Sequence, residues 1–218
     1  MVREFATSDP SRIPHPAPPN LGVLISGRGS NLQALIDAIA AKSLGARIAV
    51  VISNKPNAPG LLRAESAGIE TLTLNHRAFD SRDTFDAALA RELKARAVEL
   101  VCLAGFMRLI GTPMLEAYPN AILNVHPSLL PAFPGVSAQA QAIVHGVKVS
   151  GATVHLVTGE LDGGPIILQS AVEVGDDDTE QTLAARILEV EHRLYPEAVR
   201  IVLAGNWVLE GRRFARQR

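Results

Sequence analysis

Three short stretches of this 218-residue chain carry side chains that can move protons or hold charge. Asn124-Val125-His126-Pro127 closes an apolar run that starts at Ala121. Side chains alternate along a strand, so Asn124 and His126 share one face and Val125 takes the other. An amide and an imidazole side by side at a strand end make a donor pair for an oxyanion that develops during acyl transfer. A lone histidine is as often a satisfied core or surface group, and it is the pairing with Asn124 that singles His126 out. The second stretch is Leu161-Asp162-Gly163-Gly164-Pro165. Asp162 can pair with His126 and stabilise its imidazolium. Asp-Gly is also a common turn, and spacing alone favours the turn.

The third stretch is Ser26-Gly27-Arg28-Gly29-Ser30-Asn31, between an apolar run and a segment with Leu32, Leu35, Ile36 and Ile39 at helical spacing. Half of a dinucleotide fingerprint is present, but Leu32 stands where the third glycine belongs. The second strand ends Ser53-Asn54, without an acidic residue to hold a ribose. Both losses argue against a nicotinamide cofactor. What remains is a tight loop that delivers Gly29, Ser30 and Asn31 to a helix start, where backbone N–H groups and the helix dipole favour an anion. A plain strand-to-helix turn fits the spacing equally well.

These stretches need a frame. Apolar runs at Leu21–Ile25, Ala46–Ile52, Glu70–Leu74, Val98–Leu103 and Ala121–Val125 read as strands. Between them, Leu32–Ile39, Ala58–Ala67, Ser81–Ala97 and Pro113–Tyr118 read as helices, with Gly68 closing the second and Ser81 capping the third opposite Thr84. Alternating helices and continuous apolar strands predict an α/β fold with a mostly parallel sheet covered on both faces. Gly151–Val157 and Pro165–Val174 read as two more strands, added antiparallel at the sheet edge. A long helix follows over Thr179–Leu203, and Gly205-Asn206 turns the chain into a short strand near Trp207.

Composition narrows the function. A net charge of −1 provides no global field for nucleic acid. No apolar stretch is long enough for a membrane span. Cys102, the single cysteine, lies in an apolar run, which excludes an intramolecular disulfide and points to a cytoplasmic protein. No cysteine or carboxylate cluster completes a metal site with His126, nor do His15, His76, His145, His155 or His192 stand at ligand spacing from it. Residues 1–20 hold five prolines and read as a flexible leader, leaving residues 21–218 as one domain. The long C-terminal helix suits either a monomer or a homodimer.

Four segments occur in a telling order: Leu24-Ile25-Ser26-Gly27-Arg28-Gly29-Ser30-Asn31-Leu32-Gln33-Ala34, Leu103-Ala104-Gly105-Phe106-Met107-Arg108, Asn124 to Pro131, and Leu161-Asp162-Gly163-Gly164-Pro165-Ile166-Ile167-Leu168-Gln169. In them the chain resembles the phosphoribosylglycinamide formyltransferase family, from about residue 21 to residue 210. The resemblance implies a Rossmann-like formyltransferase fold. It implies transfer of the formyl group of a co-substrate, 10-formyltetrahydrofolate, to the amine of glycinamide ribonucleotide in purine synthesis, without a metal. It further implies Asn124, His126 and Asp162 as catalytic residues. Gly29, Ser30 and Asn31 would hold the ribonucleotide phosphate, and Leu188, Glu189, Val190 and Glu191 would touch the ribonucleotide, Glu191 reaching its ribose. Arg82, Met107, Arg108, Leu109 and Ile110 would line the folate site together with Asn124. Thr158, Gly159, Glu160, Leu161 and Asp162 would close over the pterin. Arg28, the Val136–Gln139 stretch and Leu188 depart from some members.

Three alternatives remain beside this implication. A 10-formyltetrahydrofolate hydrolase would keep the trio but need no ribonucleotide loop, and its relatives resemble this chain only after a folded regulatory domain. An initiator-tRNA formylase would carry an extra C-terminal domain and a basic surface. A nonenzymatic ligand-binding module on the same fold would not need the trio.

Overall fold

The computed structural model describes residues 17–217. The first 16 residues of the expected leader lie outside the described residues, and Asn20 already belongs to the first strand. In chain order the elements are β1 (Asn20–Ile25), α1 (Ser30–Ala40), β2 (Arg47–Ser53), α2 (Gly60–Ser66), β3 (Thr71–Thr73), α3 (Arg82–Ala95), β4 (Leu100–Leu103), α4 (Thr112–Ala117) and β5 (Ile122–His126). They continue with α5 (Ala138–His145), β6 (Val149–Leu156), β7 (Ile166–Glu173), α6 (Glu180–Ala204), β8 (Trp207–Glu210) and β9 (Arg213–Arg216).

All the strands join one sheet in the order β3-β2-β1-β4-β5-β6-β7-β9-β8. The first five pair in parallel, which matches the apolar runs of β1, β2 and β4 at the centre, while β3, Thr-Leu-Thr, is partly exposed at the edge. In β1, Leu21, Val23, Leu24 and Ile25 are fully buried. Each contributes about 1.5–3 kcal/mol by leaving water, which fixes β1 at the centre of the sheet. Right-handed crossovers set the helices. The chain winds outward from β1 to β3, then returns past β1 to β4 and β5, so α1 and α3 fall on opposite faces. Accordingly α1 packs on α6, and α3 packs on α4.

β6 and β7 are antiparallel, as expected, but they do not end the sheet. β9 pairs with β7, and β8 forms the edge as the other arm of a hairpin. Helix α5 and strand β9 were not anticipated. Ala138–His145 reads AQAQAIVH, with too few large apolar residues for a helical stripe, and Arg213–Arg216, RFAR, is four residues long with an arginine at each end.

Local signals fix the helix ends. Ser81 and Thr84 exchange hydrogen bonds at 3.1 Å in a capping box, as their spacing predicts, and Thr179 with Thr182 does the same for α6. Tyr195 on α6 is fully buried and donates to the Leu103 carbonyl at 3.0 Å and the Leu123 carbonyl at 3.2 Å. One phenol thus ties the long helix to the two strands whose carboxyl ends carry the site. Among the described residues no helix is long and apolar enough to cross a membrane.

Candidate active site

The winding direction reverses between β1 and β4, and ligands of such sheets gather at the carboxyl ends of the strands beside that switch. The loops after β1, β4 and β5 meet there. Ser26, directly after β1, is buried and joins its loop to those after β2 and β4. Its hydroxyl donates to Asn54 Oδ1 at 2.6 Å and accepts from the Met107 N–H at 2.8 Å, while its own N–H donates to the Gly105 carbonyl at 3.1 Å.

The glycine loop packs tightly. Gly29 caps α1 with φ 70°, and a Cβ there would lie 2.7 Å from the Gly60 Cα. Only glycine fits both the conformation and the contact. No side chain caps α1, so its first-turn N–H groups face the crevice unclaimed by a cap. Asn31 is buried and donates to Glu191 Oε2 at 2.7 Å, leaving its own Oδ1 buried without a partner. Burial pushes the Glu191 carboxyl up to about 7, against the opposing pull of the Asn31 hydrogen bond. Of the other residues expected beside the ribonucleotide, Val190 belongs to a small core with Leu183 and Ile187, Leu188 is half-buried and Glu189 is exposed.

Asn124 and His126 lie on one face of β5, as their spacing requires. The His126 ring is 4% exposed. Its Nε2 donates to the Phe133 carbonyl at 2.8 Å, and its Nδ1 lies 3.4 Å from Asp162 Oδ2. Both ring nitrogens face acceptors, which suits an imidazolium. Asp162 reaches this position because Gly164 runs against the end of β6, where a Cβ would meet the Leu156 carbonyl oxygen at 1.8 Å. Asp162 itself adopts φ 49°, a left-handed conformation that aspartate tolerates better than most residues. Its Oδ2 accepts from the Gly135 N–H at 2.7 Å. Burial alone would raise the Asp162 carboxyl, but His155, the Gly135 N–H and the charge of His126 outweigh it and hold the carboxyl below its ordinary value.

His155 is a site residue that the spacing argument passed over. Its ring is 2% exposed, and Nε2 lies 3.2 Å from Asn124 Nδ2 and 3.6 Å from Asp162 Oδ1. The signal that finds it is cross-strand register, since Asn124 and His155 are direct partners across β5 and β6.

The expected folate-lining residues divide. Met107 is 70% exposed and Leu109 55% exposed, so both present apolar surface beside the crevice, whereas Ile110 belongs to the main core. Arg82 and Arg108 both act on Asp86, a fully buried carboxylate on α3 that accepts from the Gly111 N–H at 2.5 Å. Burial raises the Asp86 carboxyl, with the Gly111 hydrogen bond and the two arginines pulling the other way. Leu161 is exposed, and Thr158 and Gly159 lie on the same loop. Glu160 turns to Arg212 in an exposed pair at 3.2 Å. Among the described residues no group of three or more histidine, cysteine or acidic side chains is placed to hold a metal ion.

Residues 20–199 match the family model described as formyl transferase. The Escherichia coli (strain K12) phosphoribosylglycinamide formyltransferase is 45% identical over 193 residues, covering 88% of each chain. The trifunctional purine biosynthetic protein adenosine-3 of Drosophila melanogaster is 48% identical over 188 residues, and the matched part is 85% of this chain but 14% of that protein. The crystal structure of glycinamide ribonucleotide transformylase 1 from Symbiobacterium toebii superposes with a TM-score of 0.92 at 54% identity, covering 94% of this chain and 96% of that one. The chain therefore belongs to the formyl transferase family and, within it, to the phosphoribosylglycinamide formyltransferases.

Proposed function

We propose that the protein transfers the formyl group of 10-formyltetrahydrofolate to the amine of glycinamide ribonucleotide, giving the N-formyl product and tetrahydrofolate. The observation that carries this reading is the pairing of two sites at the same end of the sheet, on strands separated only by β4. An anion-ready helix start follows β1, and a buried Asn–His–Asp cluster ends β5, two strand spacings or roughly 10 Å away. That separation suits a substrate with a phosphate at one end and a nucleophile at the other.

In this reading the N-terminus of α1, with Gly29, Ser30 and Asn31, binds the phosphate. Glu191 accepts from a ribose hydroxyl, and the unpartnered Asn31 Oδ1 faces the same ligand. The exposed side chains of Met107, Leu109 and Leu161 offer apolar contact to the folate ring. The free amine then attacks the formyl carbon, and the carbonyl electrons move to oxygen. Asn124 and protonated His126 donate to that oxyanion. For this, His126 Nε2 exchanges the Phe133 carbonyl for the substrate oxygen, while Asp162 stays at Nδ1 and keeps the ring charged. Collapse of the intermediate expels the folate nitrogen, which takes a proton from His126 or from a water that His126 holds, and the attacking nitrogen gives up one of its protons through the same water to restore the ring. Holding both substrates at once supplies much of the acceleration.

A hydrolase reading would send the formyl group to water and leave the α1 loop and Glu191 without a ligand. The two are separated by supplying a folate whose formyl carbon is isotopically labelled. Label on the glycinamide amine is the expected result. Label in free formate, with the amine untouched, overturns the transferase reading.

A further inference from the structure

His155 touches two members of the catalytic trio, and its hydrogen bonds constrain what Asn124 can do. Nδ1 lies 2.9 Å from the Leu156 carbonyl, which can only accept, so Nδ1 carries a proton. The variable atom is Nε2, 3.2 Å from Asn124 Nδ2 and 3.6 Å from Asp162 Oδ1. When Nε2 is bare, its lone pair accepts from the Asn124 amide. The second amide N–H is then directed at Asp162 Oδ1, 3.5 Å away. Both amide protons are held inside the protein, and the Asn124 oxygen is the atom left for a ligand.

When Nε2 is protonated, an N–H faces an amide NH2, donor against donor. The amide relieves the conflict by turning over. Its oxygen accepts from His155, and its NH2 is released toward the reacting carbon. A developing oxyanion is stabilised only by the second arrangement, because in the first it meets a carbonyl oxygen. We propose that His155 is a positioning residue whose proton selects which end of the Asn124 amide meets the formyl group, the cationic ring presenting the donor.

The surroundings suit a ring that takes up a proton. From the loop after β6, Asp162 provides a carboxylate between the two imidazoles, 3.4 Å from His126 Nδ1 and 3.6 Å from His155 Nε2. From β5 the facing groups are the neutral Asn124 and, across Asp162, His126. On β7 the register partner of His155 is the apolar Ile166. Asp162 is therefore the counter-ion for a cation on His155 as well as for one on His126. The consequence for turnover rests on the formyl-transfer reading, whereas the amide reversal does not.

The test begins with nitrogen-15-labelled wild-type protein. The side-chain NH2 signals of Asn124 and the Nε2 signal of His155 are followed by NMR across about pH 5–9, the range where imidazoles change charge. The Asn124 signals are expected to shift with the midpoint of His155 Nε2. In His155→Gln, whose amide donates or accepts without titrating, that shift disappears. In turnover, His155→Phe fills the space without a hydrogen bond and lowers kcat about 100-fold, with each KM within about threefold. His155→Gln restores most of the loss, which a purely space-filling role would not allow. Three results overturn the proposal: Asn124 signals that stay fixed while His155 titrates, a His155 that does not titrate in this range, or a Phe variant with wild-type kcat. Wild-type protein that shows the coupled shift but no formyl transfer overturns the transferase reading and leaves the amide switch standing.

Discussion

Asp162 Oδ2 lies 3.4 Å from His126 Nδ1, with both side chains nearly enclosed by protein. The two residues are 36 positions apart and come from different strands' ends, so the pair exists only because the loop after β6 folds back over β5. Asp162→Asn keeps the shape and removes the negative charge that the proposed mechanism places beside His126. The expected loss in kcat is about 100-fold or more, measured with both substrates saturating. The same variant probes stability. A carboxyl held below its ordinary value stabilises the fold above the unfolded value, about 4, and loses that contribution as pH falls through the folded one. Melting temperatures between neutral and acid pH should therefore fall less steeply for Asp162→Asn than for wild type.

Glu191 behaves oppositely. Burial raises its carboxyl from 4.5 to about 7, so the folded state holds a proton that the unfolded chain gives up. Stability is lost as pH rises through that window, and the penalty is complete above it, at about 3 kcal/mol. Glu191→Gln removes the ionisation. It is expected to be more stable than wild type at pH 8 by an amount of that order, with the gain vanishing near pH 4.5. If Glu191 accepts from a ribose hydroxyl as proposed, the ribonucleotide KM of the variant rises as well. Denaturant melts at the two pH values check the first part and initial rates the second.

Gly29→Ala meets two obstacles, a φ of 70° and a Cβ 2.7 Å from the Gly60 Cα. The contact is with backbone, so no side chain can swing away. The variant should lose about 1–3 kcal/mol of stability and bind the ribonucleotide more weakly, with the folate KM little changed. Equal rises in both KM values would show that the loop does not act on the phosphate end alone.

Asp86→Ala frees the Gly111 N–H, now held at 2.5 Å, and removes a buried carboxylate whose charge is felt by Arg82 and Arg108. The segment Met107-Arg108-Leu109-Ile110 ends at Gly111, so its set changes. The folate KM is expected to rise about tenfold or more with the ribonucleotide KM unchanged, as for loss of one charge-assisted contact. Steady-state kinetics with each substrate varied in turn decides it.

The parallel half of the fold was legible because the buried strands are apolar runs of the right length and the helices begin at a glycine turn, a polar cap or a proline. Helix α5 was not, since small residues and glutamines carry little periodicity, and β9 was not, since four residues with an arginine at each end carry no apolar run. Asn124 and His126 were legible as a pair because strand alternation is a local rule. Asp162 looked like an ordinary turn by spacing, and the resemblance singled it out. His155 escaped because its place depends on the register between β5 and β6, a relationship between segments that no local pattern records. Asp86 escaped because a carboxylate on a mixed helix reads as a solvated charge until the loop that it holds is seen.

The most direct measurement is absorbance-followed turnover of a 10-formyl folate analogue with and without glycinamide ribonucleotide. The account predicts loss of the formyl group only when the ribonucleotide is present. Release of free formate at the same rate without it would contradict formyl transfer, and no reaction in either tube would contradict catalysis by this site altogether.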